Sequence, residues 1–175
     1  IVSQSSVNGK DLKIDQYGNQ YLTGDYYQTI DADPGSSEFN LVSNGGSDIF
    51  MLSLNVYGEF RWGYSIGNAG DDYSYGIGVS KDQEFCITGR FDNELDVDPS
   101  DNIYNLTSGG AEDAFVAAYS FEGNLRWAAS FEDQGSQTDQ GTTVSYDQSN
   151  NIICTGSIAG TVDFDPQGGQ IILTT

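Results

Sequence analysis

The sequence predicts an all-β fold of propeller-type repeats, with about two and a half four-stranded blades visible and an Asp-x-Asp-Pro segment inserted in each. Three observations predict it. One stretch occurs three times: TGDYYQTIDADP from Thr23, TGRFDNELDVDP from Thr88 and TGSIAGTVDFDP from Thr155, spaced 65 and then 67 residues apart. Turn signals built on Gly, Asn and Asp recur every eight to twelve residues, and no window holds a 3.6-residue apolar period. Aromatics make up 13% of the chain and glycines number 22, a mixture suited to short strands and tight bends.

The elements follow in order. Lys10 to Asp15 reads as a first strand, after a polar, Ser-rich opening segment expected to be loop. Tyr17-Gly18-Asn19 is a turn, because Gly and Asn tolerate positive φ. Gln20 to Tyr27 is a second strand, and the Asp-rich stretch runs on to Pro34, which cannot donate to a ladder. Glu38 to Ser43 is a short strand. Asp48 to Asn55 and Phe60 to Ile66 form a hairpin around Tyr57-Gly58-Glu59.

The second copy repeats this from Tyr73. Its short strand is Ile103 to Ser108, and its hairpin is Asp113 to Ser120 with Asn124 to Phe131. The third copy runs from Thr142 to a last strand at Ile171 to Thr175. Residues 1–78, 79–143 and 144–175 are taken as first, second and partial third repeats of one propeller domain. A blade usually takes about 40 to 50 residues. The excess here is the Asp-x-Asp-Pro segment with its short strand, expected to project from one face or the outer rim.

Composition excludes several functions. The formal charge is −20, with six Lys and Arg against 26 Asp and Glu, so nucleic acid is not an expected partner. No stretch approaches the roughly 20 apolar residues of a transmembrane helix. The absence of histidine removes the commonest general base, and no nucleophile–base pair is identifiable, so the chain is read as not an enzyme. Opening on Ile rather than Met reads as a mature or excised segment. Cys86 and Cys154 fall at neighbouring positions of their repeats, which point to opposite faces of a strand, so two free thiols are expected.

The candidate metal ligands are the aspartate pairs Asp31 and Asp33, Asp96 and Asp98, and Asp163 and Asp165. Spaced i, i+2, each pair sits on one face of a strand and could offer oxygens to Ca²⁺. The alternative is that each aspartate caps a turn. A paired-carboxylate glycosidase is set aside, since an active site occurs once and these pairs recur in every copy. Asp48 and Asp113 are expected to fix turns. Trp62 and Trp127 are read as inter-blade packing, and Arg61 and Arg126 as ion-paired to a loop aspartate. The candidate ligand-binding residues are Tyr26, Tyr27, Tyr73 and Tyr75. They cluster near acidic loops and do not recur in all copies, as a carbohydrate or peptide site would require.

The segments IDQYGNQYLTG, NGGSDIFMLSL, YGEFRWGYSIG and TVDFDP together resemble the SBBP-type bacterial β-propeller repeats of secreted and cell-surface proteins, especially of the Bacteroidetes group. The resemblance covers nearly the whole chain. It implies a secreted or cell-surface scaffold whose partner is another protein or further repeats of the same chain. A glycan is the alternative ligand. A closed propeller takes at least four blades, so the repeats belong to a longer chain or close by association.

Overall fold

The computed structural model describes residues 5–132, 135–165 and 171–174. Among them there is no helix, and every strand pairing is antiparallel. The first blade runs from inner to outer strand as β1 (Ser6–Ile14), β2 (Gln20–Tyr27), then β5 (Asp48–Leu54) and β6 (Phe60–Ile66). Between β2 and β5 the inserted segment makes a two-stranded ribbon, β3 (Thr29–Asp31) with β4 (Asn40–Val42).

The second blade repeats the order with β7 (Tyr73–Val79), β8 (Glu84–Phe91), β11 (Asp113–Ser120) and β12 (Leu125–Phe131), and its ribbon is β9 (Glu94–Asp96) with β10 (Asn105–Thr107). The third unit shows β13 (Gln140–Tyr146) with β14 (Ile152–Ser157) and a ribbon of β15 (Thr161–Asp163) with β16 (Ile172–Thr174). Pro166 and Thr175 lie outside the described residues.

Two boundaries differ from the sequence reading. The opening strand starts at Ser6, because Ser6 to Gly9 pair with Gly24 to Tyr27. The first and second sheets divide at the loop 67–72 and not at residue 78: Tyr73–Val79 bonds along β8 and so belongs to the second blade.

The repeat is legible in fine detail. Each innermost strand carries a bulge whose extra residue is Lys10, Tyr75 or Thr142, at equal repeat positions. A bulge sharpens twist and bends the strand. The glycine after each repeated threonine belongs to this device. A side chain on Gly24, Gly89 or Gly156 would strike the carbonyl oxygen of Asn8, Tyr73 or Gln140 on the bulged neighbour. The bends share another device, a side-chain oxygen accepting from the N–H groups two and four residues on. Asp15, Asn55, Ser80 and Asp147 all do this.

Blades stack face to face. The main core lies between the first two, where Tyr21, Met51 and Ile66 meet Phe85, Ile87, Phe115 and Tyr119. The ribbons fold back on the outermost strands at the rim. The Phe39 and Phe60 rings pack tilted, 4.8 Å apart, and in the second blade the hydroxyl of Tyr119, on the third strand, donates to the Val97 carbonyl at 2.9 Å.

Candidate functional site

The Asp-x-Asp-Pro loops share one hydrogen-bond plan. Oδ1 of Asp31 accepts from the N–H groups of Asp33 and Phe39, and Asp96 does so from Asp98 and Tyr104. Asp163 accepts from Asp165 and Ile171 in the same way. These two bonds close the ribbon and draw the Asp163 carboxyl below its ordinary range. The second aspartates hold the next corner, with Asp33 accepting from Gly35 and Asp98 from Ser100. The capping role weighed against calcium is thus built into each first aspartate. Among the described residues no three acidic or thiol groups converge as a metal cluster.

The four tyrosines take up different environments. Tyr26 is buried against Phe50, Leu41 and Ala32, and its hydroxyl donates to Ser65 Oγ at 2.6 Å. Burial pushes that phenol up to about 12. Its neighbour Tyr27 is half-buried. Tyr73 and Tyr75 stack nearly parallel, 6.4 Å apart. The Arg90 guanidinium lies 4.9 Å from the Tyr73 ring and 5.9 Å from Tyr75, and Lys10 approaches Tyr75 at 5.8 Å. Arg90 pairs with Glu112 at 3.0 Å and Lys10 with Asp25 at 3.1 Å. Two of the six cations thus tie the inner strands of the first two blades together through an aromatic pair.

Tryptophan does what the sequence predicts. Trp62 packs on Phe85 and Tyr21, and its Nε1–H donates across the seam to the Phe121 carbonyl at 2.9 Å. Arginine does not. Among the described residues Arg61 forms no ion pair; it donates to the Tyr21 hydroxyl at 3.1 Å and to Ser53 Oγ at 2.8 Å. One blade on, those partners are Cys86 and Ala118, which offer no comparable oxygen, and Arg126 is exposed. The reason is local: the partner of Arg61 is set by its own sheet and not by a loop.

The cysteines are free, as expected, yet they meet on one seam. Cys86 and Cys154 share a cluster with Val116, Ala118 and Val144. Opposite faces of successive blades face one another, so neighbouring repeat positions become neighbours in space. Burial pushes the Cys86 thiol up to about 12 and raises Cys154 too, so neither is a ready nucleophile.

One constellation escaped the sequence reading. Asp72 and Asp139 are fully buried at equal repeat positions. The Asp72 N–H donates to the Ser47 carbonyl at 2.7 Å, and the Asp139 N–H to Glu112 at 2.8 Å, latching each blade to the one before. Beside Asp72 lies buried Asp48, which caps its turn by accepting from the Asn44 N–H at 2.9 Å; Asp72 accepts from Asn68 at 3.0 Å. Burial first, then nearby carboxylates, raises Asp48 to about 6 and Asp72 to about 7. The 67-residue spacing of Asp72 and Asp139 was the available signal.

No family model matches the chain. It is similar to the uncharacterized WD repeat-containing protein L264 of Acanthamoeba polyphaga mimivirus, 25% identical over 190 residues. The match takes in 92% of this chain and 13% of that protein, so the chain spans a small part of its relative's length. The antiparallel blades and the repeat-type relative agree on an all-β, propeller-type fold.

Proposed function

We propose that the chain is a non-catalytic β-propeller scaffold, a protein-interaction module of a secreted or cell-surface protein of the SBBP repeat type. One observation carries this reading. The residues best equipped for chemistry are engaged in holding the repeats: aspartates close ribbons, Tyr73 and Tyr75 lie against cations, and Trp62 bridges blades. Similarity to a WD repeat-containing protein supports a role in binding proteins. The charge of −20 fits an exposed, soluble display surface.

The alternative is a carbohydrate-binding or adhesin module, stabilised by calcium on the aspartate pairs. It is favoured by the stacked Tyr73–Tyr75 pair, which the third copy lacks. A glycan panel, with thermal unfolding in calcium and in chelator at constant ionic strength, separates the two. The scaffold reading expects no saturable glycan binding and equal unfolding temperatures. Saturable glycan binding lost in Tyr75→Ala would overturn it, and a large upward shift in calcium would make the aspartates ligands.

A further inference from the structure

The chain contains two Asn-Gly steps, Asn8-Gly9 and Asn44-Gly45. Glycine has no Cβ to shield its backbone nitrogen, so at such a step that nitrogen can reach the asparagine side-chain carbonyl wherever the backbone bends. The two steps stand in opposite settings. Asn8 and Gly9 lie on β1, in register with Asp25 and Gly24, and the Asn8 side-chain amide donates to Asp25 Oδ2 at 2.7 Å. The ladder keeps that backbone extended, and the bond fixes the amide. Asn44 is exposed in the turn between β4 and β5, and Gly45 takes a φ of 143°, which favours glycine. Among the described residues, neither the Asn44 side-chain amide nor the Gly45 N–H is hydrogen-bonded.

The same turn is one half of the latch that closes the seam between the first two blades. The Asn44 N–H donates to Asp48 Oδ2 at 2.9 Å, and the Ser47 N–H to Asp71 Oδ1 at 2.8 Å. The Ser47 carbonyl accepts from the Asp72 N–H at 2.7 Å. Gly45 seats directly on the loop between the blades, where a side chain would strike the Ala69 backbone.

We propose that Asn44-Gly45 is a site of spontaneous deamidation, and that its conversion loosens the seam between the first and second blades. The Gly45 nitrogen attacks Cγ of Asn44. Its proton passes through solvent to the departing side-chain nitrogen, which leaves as ammonia, and a five-membered succinimide remains. Water then opens the ring. Breaking the bond from nitrogen to Cγ gives aspartate. Breaking the bond from nitrogen to the main-chain carbonyl carbon gives isoaspartate, in which the chain runs through the side-chain methylene. An amide and water have become a carboxylate and ammonium, with no transfer of electrons. Either product sets a negative charge beside Asp48 and Asp71, and like charges repel. Isoaspartate also adds a backbone atom between an N–H held by Asp48 and a glycine seated on Ala69.

The test is peptide mass mapping of the whole chain after incubation in mildly alkaline buffer, folded and in guanidinium chloride. In the folded chain Asn44 should convert about tenfold or more faster than Asn8, since only Asn44 brings amide and nitrogen together. In denaturant the two steps should convert at similar rates. An isoaspartyl methyltransferase should label the converted chain at residue 44, and Asn44→Gln should stay unlabelled there. The converted chain, separated by charge, and Asn44→Asp should both unfold at a lower temperature than wild type, the isoaspartyl form lowest. Conversion of Asn8 as fast as Asn44 in the folded chain would overturn the site. So would an Asn44 amide that persists in the folded chain and is lost only in denaturant. Unfolding temperatures equal to wild type in both altered forms would overturn the effect on the seam. The scaffold reading depends on none of these results.

Discussion

The closed and open seams amount to an internal control. Phe85 and Ile152 hold the same repeat position, as do Trp62 and Trp127, and Thr88 and Thr155. In the closed seam Phe85 is fully buried and stacks on Trp62 at 5.6 Å and on Tyr119 at 5.2 Å. In the open seam Ile152 is half-buried on a cavity wall. Phe85 stands on a strand bonded to β7 and β11, whereas among the described residues β14 bonds only to β13. Tyr119 comes from the outer hairpin of Phe85's own blade and Trp62 from the blade before, so a seam is filled from both of its units.

The largest effect should come from emptying that packing. Phe85→Ala is expected to cost about 3–5 kcal/mol by denaturant unfolding, because transfer and cavity terms add in a well-filled core. Ile152→Ala should cost about 1 kcal/mol or less, since the side chain already borders open space. Equal losses at the two positions would break the comparison.

Next in size is the acidic latch of the closed seam. Asp48 and Asp72 titrate near 6 and 7 in the folded chain against 3.8 for an ordinary aspartate. Between about pH 4 and 7 the folded state therefore holds more protons than the unfolded, and stability should fall as pH rises through that window. The general charge of −20 pulls the same way, so the discriminating variant is Asp72→Asn. It should flatten the decline in unfolding midpoint between pH 5 and 8, whereas an unchanged slope would trace the effect to net charge. Capped Asp15 has a lowered pKa and behaves oppositely, losing its contribution only as pH falls below the ordinary carboxylate range.

The sequence made the blades legible because the period is written in turn residues and apolar alternation, both local. The ribbon, the hairpins and the packing role of Trp62 follow from that period. What it hid was set by contacts between units. The faces of Cys86 and Cys154 could be assigned, but their meeting needed the stacking of successive blades. Tyr26 looked like part of an aromatic cluster, and only the fold buries it behind Ser65 and Phe50. Asp72 sits in a Gly- and Asp-rich loop that reads as solvated, and its burial comes from the strand ends on either side.

A smaller effect should appear at the repeated threonine. Thr88→Val removes the donor to the Phe115 carbonyl while keeping the shape, and about 1–2 kcal/mol should be lost because that acceptor is buried. Thr155→Val should be nearly neutral in the chain alone. Equal losses at the two threonines in denaturant unfolding would show that the hydroxyl's bond to the third strand contributes nothing.

The smallest contrast lies between Arg61 and Arg126, where the sequence is alike and the surroundings are not. Arg61 is exposed but holds two hydroxyl partners and lies 5.8 Å from the Tyr21 ring. Truncation to Ala should cost about 0.5–1 kcal/mol, the range for exposed polar contacts with some aromatic help. The positions matching Tyr21 and Ser53 are Cys86 and Ala118 in the second blade, and Arg126→Ala should fall within about 0.5 kcal/mol of wild type. Writing the partners back tests the cause. Ala118→Ser should raise the cost of Arg126→Ala in a double-mutant cycle by a few tenths of a kcal/mol, because the new hydroxyl stands where Ser53 stands for Arg61. A coupling of zero would show that the arginine is held by its strand neighbours and not by the hydroxyl, and that the repeat retains Arg-Trp for the tryptophan alone.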